Sequence, residues 1–253
     1  MKETINIREY LHEKNPYDGF FTDELPLNVV GFRLPESILR RVTDVKPRLV
    51  IEVGSWKGRS AIYMADLLKA ANSDASILCV DTWLGAREMW KKPDRYDVPE
   101  RYLGLALKNG YPSIYYDFLS NVVKSGHQDR ITPFPNTSYI AGQLLREIGV
   151  KSEFIFIDGS HDFDDVLSDL RLYWDILAEG GILVGDDFDW GGVGAALRIF
   201  QREVAHAVID VYDDHGWMIR KVTTNKSTFE PLKWKLLTLR RSRGPKIRQR
   251  GPR

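Results

Sequence analysis

Residues 49–60 read LVIEVGSWKGRS, and this stretch decides the fold of the chain. The apolar run predicts a strand that ends beside Glu52, and Gly54 and Gly58 then lead into a predicted helix over residues 60–70. Glycines in a strand-to-helix turn let a ligand approach bare backbone, and the first turn of the helix offers free N–H groups. The turn therefore suits a nucleotide-like ligand.

The identity of that ligand follows from two side chains of the turn. A dinucleotide fingerprint requires a glycine where this chain has Trp56, whose ring would crowd a pyrophosphate. Glu52 suits a cationic ligand better than a phosphate. We infer a nucleoside with an amino-acid tail, whose ammonium pairs with a carboxylate, and S-adenosylmethionine fits that description.

Strands and helices alternate along the rest of the chain. Alternation of this kind predicts an α/β, Rossmann-like, doubly wound sheet of seven strands, mostly parallel, with an antiparallel hairpin at the C-terminal end. The predicted strands are 49–53, 76–80, 130–134, 154–157, 181–184, 208–212 and 217–222, and the predicted helices are 60–70, 115–124, 138–148, 164–177 and 193–204.

Acidic residues follow several of the predicted strands. Because ligands of such sheets bind beyond the carboxyl ends of the strands, Asp158, Asp186 and Asp187 should converge on one spot. Three hard oxygen ligands with open positions describe a magnesium site. His161, at the start of the next predicted helix, has the near-neutral pKa that suits a general base for a hydroxyl polarised by the metal.

Each of these residues also has a plainer interpretation. Glu52 could cap the helix that follows it, and Asp186-Asp187 could be an ordinary acidic turn. Thr137 could frame an adenine or serve only as a helix N-cap. The remaining histidines are predicted to lie at the surface: His12, His127, His206 and His215.

The glycine turn, Asp81 after the second strand and the terminal hairpin resemble the class I S-adenosylmethionine-dependent methyltransferases over residues 47–222. That family usually has a further glycine where this chain has Trp56. The resemblance implies that Asp81 holds the ribose hydroxyls of S-adenosylmethionine. It implies a cofactor site lined by Glu52, Gly54, Ser55, Gly58, Ser60, Thr137 and Asp158.

The Asp-x-x-His pattern of Asp158 and His161, followed by paired acids, is similar to the metal-dependent O-methyltransferases. It most resembles the antibiotic-tailoring branch with the macrocin and mycinamicin sugar O-methyltransferases and the cephalosporin hydroxylase proteins, whereas the catechol-type branch has a lysine at position 161. The resemblance implies Asp158, Asp186 and Asp187 as ligands of Mg²⁺ or another divalent cation, and His161 as the catalytic base.

The domain organisation is predicted from composition. Residues 1–46 form an accessory segment on the substrate side, and residues 47–222 form the cofactor-binding domain. Residues 82–110 are a long insertion, typical of a lid or of an ordinary surface excursion. Its aromatic side chains are suited to stacking on sugars or planar substrates: Trp83, Trp90, Tyr96 and Tyr102. Residues 223–253 form a basic tail, predicted to be solvated and disordered, with weak contact to an anionic surface as the alternative.

Bulk composition excludes several classes. A net charge of +1 argues against a nucleic-acid binder, and the single cysteine, Cys79, excludes intramolecular disulfides and cysteine-rich zinc sites. No signal peptide or membrane-spanning run is visible, so a cytoplasmic location is expected. A homo-oligomer is compatible with the sequence, which does not specify the oligomeric state.

These observations predict a magnesium-dependent O-methyltransferase that uses S-adenosylmethionine and acts on a hydroxyl of a sugar or glycosylated small molecule. Two alternatives remain open at this point. The first is a tailoring enzyme of the same fold with other chemistry, as the hydroxylase relatives suggest. The second is a non-catalytic module that keeps the cofactor fold.

Overall fold

The fold is built on one seven-stranded sheet. The computed structural model describes residues 5–20, 34–90, 100–204, 207–213 and 215–222, with the side chains of residues 100 and 101 left out. The strands are β1 (Leu49–Val53), β2 (Ser76–Asp81), β3 (Ile131–Pro135), β4 (Ser152–Ile157), β5 (Leu177–Gly185), β6 (Ile209–Tyr212) and β7 (Gly216–Arg220). Their order across the sheet is β3-β2-β1-β4-β5-β7-β6.

The pairing of the strands confirms the predicted fold class. Strands β1 to β5 pair in parallel, while β7 is antiparallel to both β5 and β6. From β1 the chain builds outward to β2 and β3, then crosses back to β4 on the other side of β1. Such a reversal of strand order opens a crevice at the carboxyl edge of the sheet, which is where ligands of doubly wound folds bind.

Eight α-helices occur among the described residues. They are α1 (Ile7–Leu11), α2 (Glu36–Leu39), α3 (Arg59–Ala70), α4 (Glu100–Gly104), α5 (Ile114–Lys124), α6 (Ser138–Glu147), α7 (Phe163–Ile176) and α8 (Gly191–Glu203). Two short 3₁₀ helices, Arg40–Thr43 and Arg87–Trp90, accompany them. The long helices begin and end within a few residues of the predicted bounds, because their apolar spacing and flanking polar residues were clear in the sequence.

Two apolar layers cover the two faces of the sheet. Ile51 and Val53 of β1 pack in the layer that includes residues of α6, α7 and α8. Val50 of the same strand packs in the other layer, with residues of α2, α3 and α5. Successive side chains of a strand point to opposite faces, so β1 is anchored in both layers. This double burial fixes the glycine turn that follows β1.

The start of the predicted insertion belongs to the core, which corrects the expectation for Trp83. Its side chain is only 2% exposed, and its indole N–H donates to the Trp56 carbonyl oxygen at 2.7 Å. The ring lies against Tyr115 and Phe118, with centroids 5.0 and 4.9 Å away. Trp83 is therefore not a ring for stacking on sugars.

Parts of the predicted insertion and all of the predicted tail lie outside the described residues. The helix α4 and the 3₁₀ helix Arg87–Trp90 lie within the insertion, whose residues 91–99 fall outside the described part. The basic tail, residues 223–253, also falls outside it. Within the described ranges, no helix is long and apolar enough to cross a bilayer.

The prediction that His127 lies at the surface is wrong. Its side chain is 3% exposed, and its Nε2 lies 2.8 Å from Oδ1 of Asp66 on α3. The ring directly follows the amphipathic helix α5, so it is carried into the core layer, where the carboxylate satisfies its buried nitrogen. His206 lies outside the described residues.

Candidate active site

The turn between β1 and α3 is shaped by two glycines. Gly54 and Gly58 have φ values of +87° and +84°, which side chains disfavour. A Cβ on Gly54 would lie 2.1 Å from the carbonyl oxygen of Asp158, so the β1 turn and the end of β4 are in direct backbone contact. Trp56, which lies between them, also has a positive φ of 46°. The turn thus has the left-handed conformation at this position without a glycine.

The carboxylate of Asp81 holds the glycine turn in place. Its Oδ2 accepts hydrogen bonds from the backbone N–H groups of Ser55 and Trp56, at 2.9 and 2.8 Å. Its Oδ1 accepts from the backbone N–H of Trp83 at 2.7 Å. Burial raises the pKa of Asp81, while these backbone hydrogen bonds oppose the rise. Asp81 also lines the cavity described below, so its predicted contact with a ribose remains a prediction compatible with this position.

Glu52 lies inside the protein. It is fully buried, and the Sγ of Cys79 lies 3.4 Å from its Oε2. Burial raises the pKa of Glu52 to about 7, against the lowering effect of the nearby Ser55 and Ser60 hydroxyls. Glu52 and Gly58 are absent from the described lining of the cavity. The Glu52 carboxylate is therefore set back from the cavity, and its pairing with a ligand ammonium remains a prediction.

A cavity of about 1100 Å³ opens at the carboxyl edge of the sheet. Its floor follows the order of the strands: Asn136 comes after β3, Gly54 after β1, Asp158 after β4, and Tyr212 ends β6. Most of the predicted site residues line it together: Gly54, Ser55, Ser60, Asp81, Thr137, Asp158, His161, Asp186 and Asp187. One elongated cavity thus joins the glycine turn to the acidic strand ends.

Thr137 has one of the two roles that the sequence left open. Its Oγ1 accepts a hydrogen bond from the backbone N–H of Ile140 at 3.2 Å, so it caps α6. It also lines the cavity beside Asn136 and Ser138. The capping role is therefore observed, and contact with an adenine remains a prediction.

An acidic cluster lies at the ends of β4 and β5. Asp158, His161 and Asp187 each bring one ligand atom to within 4.8 Å of the others. Burial, together with the charges of Asp187 and Asp186, raises the pKa of Asp158 well above its ordinary value. A cation at this point would relieve that repulsion, and carboxylate oxygens are the ligands that Mg²⁺ prefers. The residues present therefore fit a divalent cation.

Asp186 departs from the predicted arrangement. It lines the cavity, yet it is not part of the group whose ligand atoms lie within 4.8 Å of one another. Its backbone carbonyl accepts a hydrogen bond from the indole N–H of Trp217 at 3.0 Å. Among the described residues the group within this reach is Asp158, His161 and Asp187, and the role of Asp186 as a ligand stays a prediction.

The imidazole of His161 is held on both of its nitrogens. Nε2 lies 2.8 Å from Oδ2 of Asp187, and Nδ1 lies 3.2 Å from Oε1 of Glu88. Partial burial lowers the pKa of His161, but the hydrogen bonds and charges of Asp187 and Glu88 outweigh it and leave the pKa raised. The Trp190 ring packs on the imidazole, with centroids 4.2 Å apart.

Two of these neighbours were missed by sequence reasoning. Glu88 lies in the 3₁₀ helix Arg87–Trp90 of the predicted insertion, and Trp190 precedes α8. Neither has a spacing that ties it to His161. The sequence offers only a weak signal for Glu88, an acidic residue in a stretch otherwise rich in basic and aromatic residues.

A doubly wound sheet with a terminal antiparallel hairpin, a glycine turn after β1 and acids at the ends of β4 and β5 defines a Rossmann-like methyltransferase fold. A family model described as a methyltransferase domain matches residues 51–188, which is more than half of the chain. The chain belongs to this methyltransferase family. None of the curated proteins compared with it gives a match.

Solved structures share the fold at low sequence identity. An O-methyltransferase from Bacillus cereus in complex with SAH is 14% identical, with a TM-score of 0.52 over 78% of this chain and 85% of that one. The O-methyltransferase NovP is 16% identical, with a TM-score of 0.51 over 74% and 79%. TomG from Streptomyces achromogenes, an O-methyltransferase of tomaymycin synthesis in complex with SAM, is 13% identical, with a TM-score of 0.51 over 77% and 82%.

Proposed function

We propose that this protein is an S-adenosylmethionine-dependent and magnesium-dependent O-methyltransferase that acts on a hydroxyl of a sugar or glycosylated small molecule. The observation that carries the proposal is the joining of two features in one cavity. The glycine turn of Gly54 and the acidic cluster of Asp158, His161 and Asp187 line the same space. One feature suits a nucleoside with an amino-acid tail, and the other suits a cation and a proton acceptor.

Support for the cofactor comes from the family and from the turn. The methyltransferase family requires a methyl donor, and two of the similar solved structures are complexes with SAH or SAM. In this chain, Ser55, Ser60 and Asp158 lie at the part of the cavity where the amino-acid tail would bind. A cavity rich in carboxylates also favours a ligand that carries a sulfonium and an ammonium.

Asp158 and Asp187 would hold the divalent cation, with Asp186 beside them. When bound, the cation polarises the acceptor hydroxyl and makes its proton easier to remove. The acceptor hydroxyl would lie next to Nε2 of His161, the nitrogen that lies 2.8 Å from Oδ2 of Asp187. The chain also supplies low solvent exposure, since the His161 side chain is 20% and the Asp187 side chain 29% exposed.

His161 would take the proton of the acceptor hydroxyl on Nε2, the nitrogen that faces the acidic cluster. The acceptor oxygen would then form its bond to the methyl carbon of the donor as the carbon–sulfur bond breaks. Binding of both reactants in one cavity would bring these two atoms together, as such a transfer needs.

The acceptor would lie beyond the acidic cluster, toward β7 and β6. Trp190, Tyr212 and the His215–Asp189 pair, with 3.0 Å between Nδ1 and Oδ1, form this end of the protein, and all but Asp189 line the cavity. Aromatic faces beside polar groups that donate and accept hydrogen bonds are suited to a sugar ring. This end thus supports a sugar-bearing acceptor over a purely apolar one.

The experiment is a transfer assay with S-adenosylmethionine labelled on its methyl group. The purified protein is incubated with a panel of glycosides, free sugars and phenols, with magnesium and then with excess chelator. We expect label in a glycoside or sugar product that resists mild base, as a methyl ether does, and loss of transfer with chelator. Transfer at full rate in chelator would contradict the magnesium dependence, and label only in phenols would contradict the acceptor class.

A further inference from the structure

The ring of His161 has a different carboxylate on each nitrogen. Asp187 faces Nε2, and Glu88 faces Nδ1 at 3.2 Å. Asp187 belongs to the group that could hold a metal ion, whereas Glu88 does not. The two carboxylates therefore have different surroundings, although both contact the same ring.

We propose that Glu88 is the positioning residue of His161: it accepts the Nδ1–H hydrogen bond and thereby directs the Nε2 lone pair into the acidic cluster. This inference rests on the proposed function, in which Nε2 takes the proton of the acceptor hydroxyl.

In a neutral imidazole, the hydrogen-bond partner of one nitrogen decides which nitrogen carries the proton. The neutral ring carries one N–H, and the nitrogen that keeps it cannot accept a proton. A carboxylate on Nδ1 stabilises the proton there and leaves Nε2 as the acceptor. Asp187 alone would favour the opposite tautomer, with the proton on Nε2, and its charge is the one that a bound cation would engage. With a cation on Asp187, Glu88 would be the carboxylate left to pair with the ring, although Asp187 lies nearer to it here, at 2.8 Å against 3.2 Å.

The local structure holds Glu88 where this role needs it. The preceding residue, Arg87, forms an ion pair with Asp162 at 2.6 Å, one residue beyond His161. In the same segment, the Trp90 indole N–H donates to the Leu84 carbonyl at 2.8 Å. The Trp190 ring packs on the face of the imidazole. The ring is thus limited in rotation by contacts on two edges and one face.

Two variants of Glu88 show whether the side chain acts on His161 as a hydrogen-bond acceptor. Glu88→Ala removes the acceptor for Nδ1–H, while Glu88→Gln keeps an amide oxygen that can accept it. We expect a kcat loss of roughly 10- to 100-fold in Glu88→Ala, in the range for a lost partner of a functional histidine, and recovery of most of it in Glu88→Gln. The KM for S-adenosylmethionine and the Kd for magnesium should change by less than about threefold.

Arg87→Ala is the matched control because it breaks the ion pair between the same 3₁₀ helix and Asp162 and leaves Glu88 in the chain. If Glu88 acted only by anchoring the insertion, Arg87→Ala would lower kcat as much as Glu88→Ala. We expect the effect of Arg87→Ala to be clearly smaller. Equal losses in the two variants would overturn the proposal.

A spectroscopic readout tests the tautomer without an acceptor. The protein is labelled with ¹⁵N at histidine, loaded with SAH and magnesium chloride, and its imidazole nitrogens are observed by NMR, with His161→Ala to assign the resonances. We expect the proton of neutral His161 on Nδ1 in the parent and in Glu88→Gln, and a shift toward Nε2 in Glu88→Ala. An unchanged tautomer in Glu88→Ala overturns the proposal.

The readouts also separate this inference from the proposed function. If no acceptor is methylated but the tautomer shifts as expected, the proposed function fails and the positioning by Glu88 stands. If methylation occurs and Glu88→Ala weakens magnesium binding more than it lowers kcat, Glu88 serves the metal site and the positioning role fails.

Discussion

The two ends of the cavity are built in different ways. At the glycine turn, the shape comes from backbone: positive φ angles at Gly54 and Gly58, and backbone N–H groups held by Asp81. At the acidic cluster, the shape comes from side chains on separate segments, including Glu88, His161 and Asp187. The first end is formed by residues close in sequence or on adjacent strands, whereas the second needs the insertion and the strand ends together.

This difference teaches how tolerant each end should be. A backbone turn in contact with the end of β4 leaves no space for an added side chain, so changes there should damage the fold and ligand binding together. A cluster of side chains at strand ends can lose one functional group and keep its backbone. Changes there should remove chemistry and leave the fold intact.

The largest expected effect is that of Gly54→Val at the backbone-built end. A Cβ there would lie 2.1 Å from the Asp158 carbonyl oxygen and 2.5 Å from its carbon, at a φ of +87°. Both the clash and the disfavoured backbone oppose folding, and we expect a loss of unfolding free energy of about 4 kcal/mol or more. Thermal unfolding and SAH calorimetry measure the outcome.

Gly149→Ala is the matched control for the backbone cost alone. Gly149 has a φ of +78°, and a Cβ there meets nothing within 4 Å. We expect a loss of about 1 kcal/mol with SAH affinity retained. If Gly54→Val is no worse than this control, the contact between the turn and β4 does not determine the site.

The next effect is that of His161→Ala at the side-chain-built end. Loss of a general base typically lowers turnover by about 10²- to 10⁴-fold, and we expect a kcat loss in that range. The melting temperature and SAH affinity should remain close to the parent, because His161 is not part of the turn. His12→Ala is the histidine control, because His12 is not among the described residues that line the cavity. A His161→Ala enzyme within a few-fold of the parent would mean that another group takes the proton.

A smaller effect concerns Asp169 of α7, near the β3 end of the cavity. Burial raises the pKa of Asp169 to about 7, against a hydrogen bond from Ser138 and with a contribution from the Asp165 charge. The unfolded value is about 3.9, so the native state binds the proton more tightly and the stability from this group falls as pH rises from about 4 to 7.

The variant that checks this sign is Asp169→Asn, which keeps the size of the side chain and cannot ionise. We expect its free energy of unfolding to be about that of the parent at pH 4. At pH 8 we expect its free energy of unfolding to exceed that of the parent by about 2–4 kcal/mol. The pKa of Glu52 is also raised by burial, so the free energy of unfolding of the variant should still fall with rising pH, but less steeply than that of the parent. Denaturant unfolding of the ligand-free protein across this pH range is the measurement; parallel curves for parent and variant would refute the effect.

The backbone-built half of the site could be predicted from the sequence. The apolar strand, Gly54 and the acid at position 81 are read from neighbouring residues, and all three lie where the pattern indicated. The side chain of Glu52 could not be placed, because the strand period gives a face of the sheet but not the distance to a cavity. Burial in the core layer, with Cys79 against it, decided its position.

The other half could be predicted only in part. Asp158, His161 and Asp187 follow predicted strands, so their convergence was readable from topology. Glu88 and Trp190 reach the same imidazole through folded segments whose course depends on tertiary packing. Trp83 is a second example: the sequence placed this aromatic residue in the insertion, but tertiary packing buries it in the core.

The central claim is that the two ends are separate in role: one binds the cofactor, and the other holds the cation and performs proton transfer. The most direct measurement is calorimetry of SAH and of magnesium on the parent and on Asp187→Asn, followed by the transfer assay. We expect Asp187→Asn to bind SAH within about threefold of the parent, since Asp187 lies outside the turn, and to lose magnesium binding and methyl transfer together. Loss of SAH affinity in this variant, or methyl transfer that survives without magnesium binding, would contradict the account.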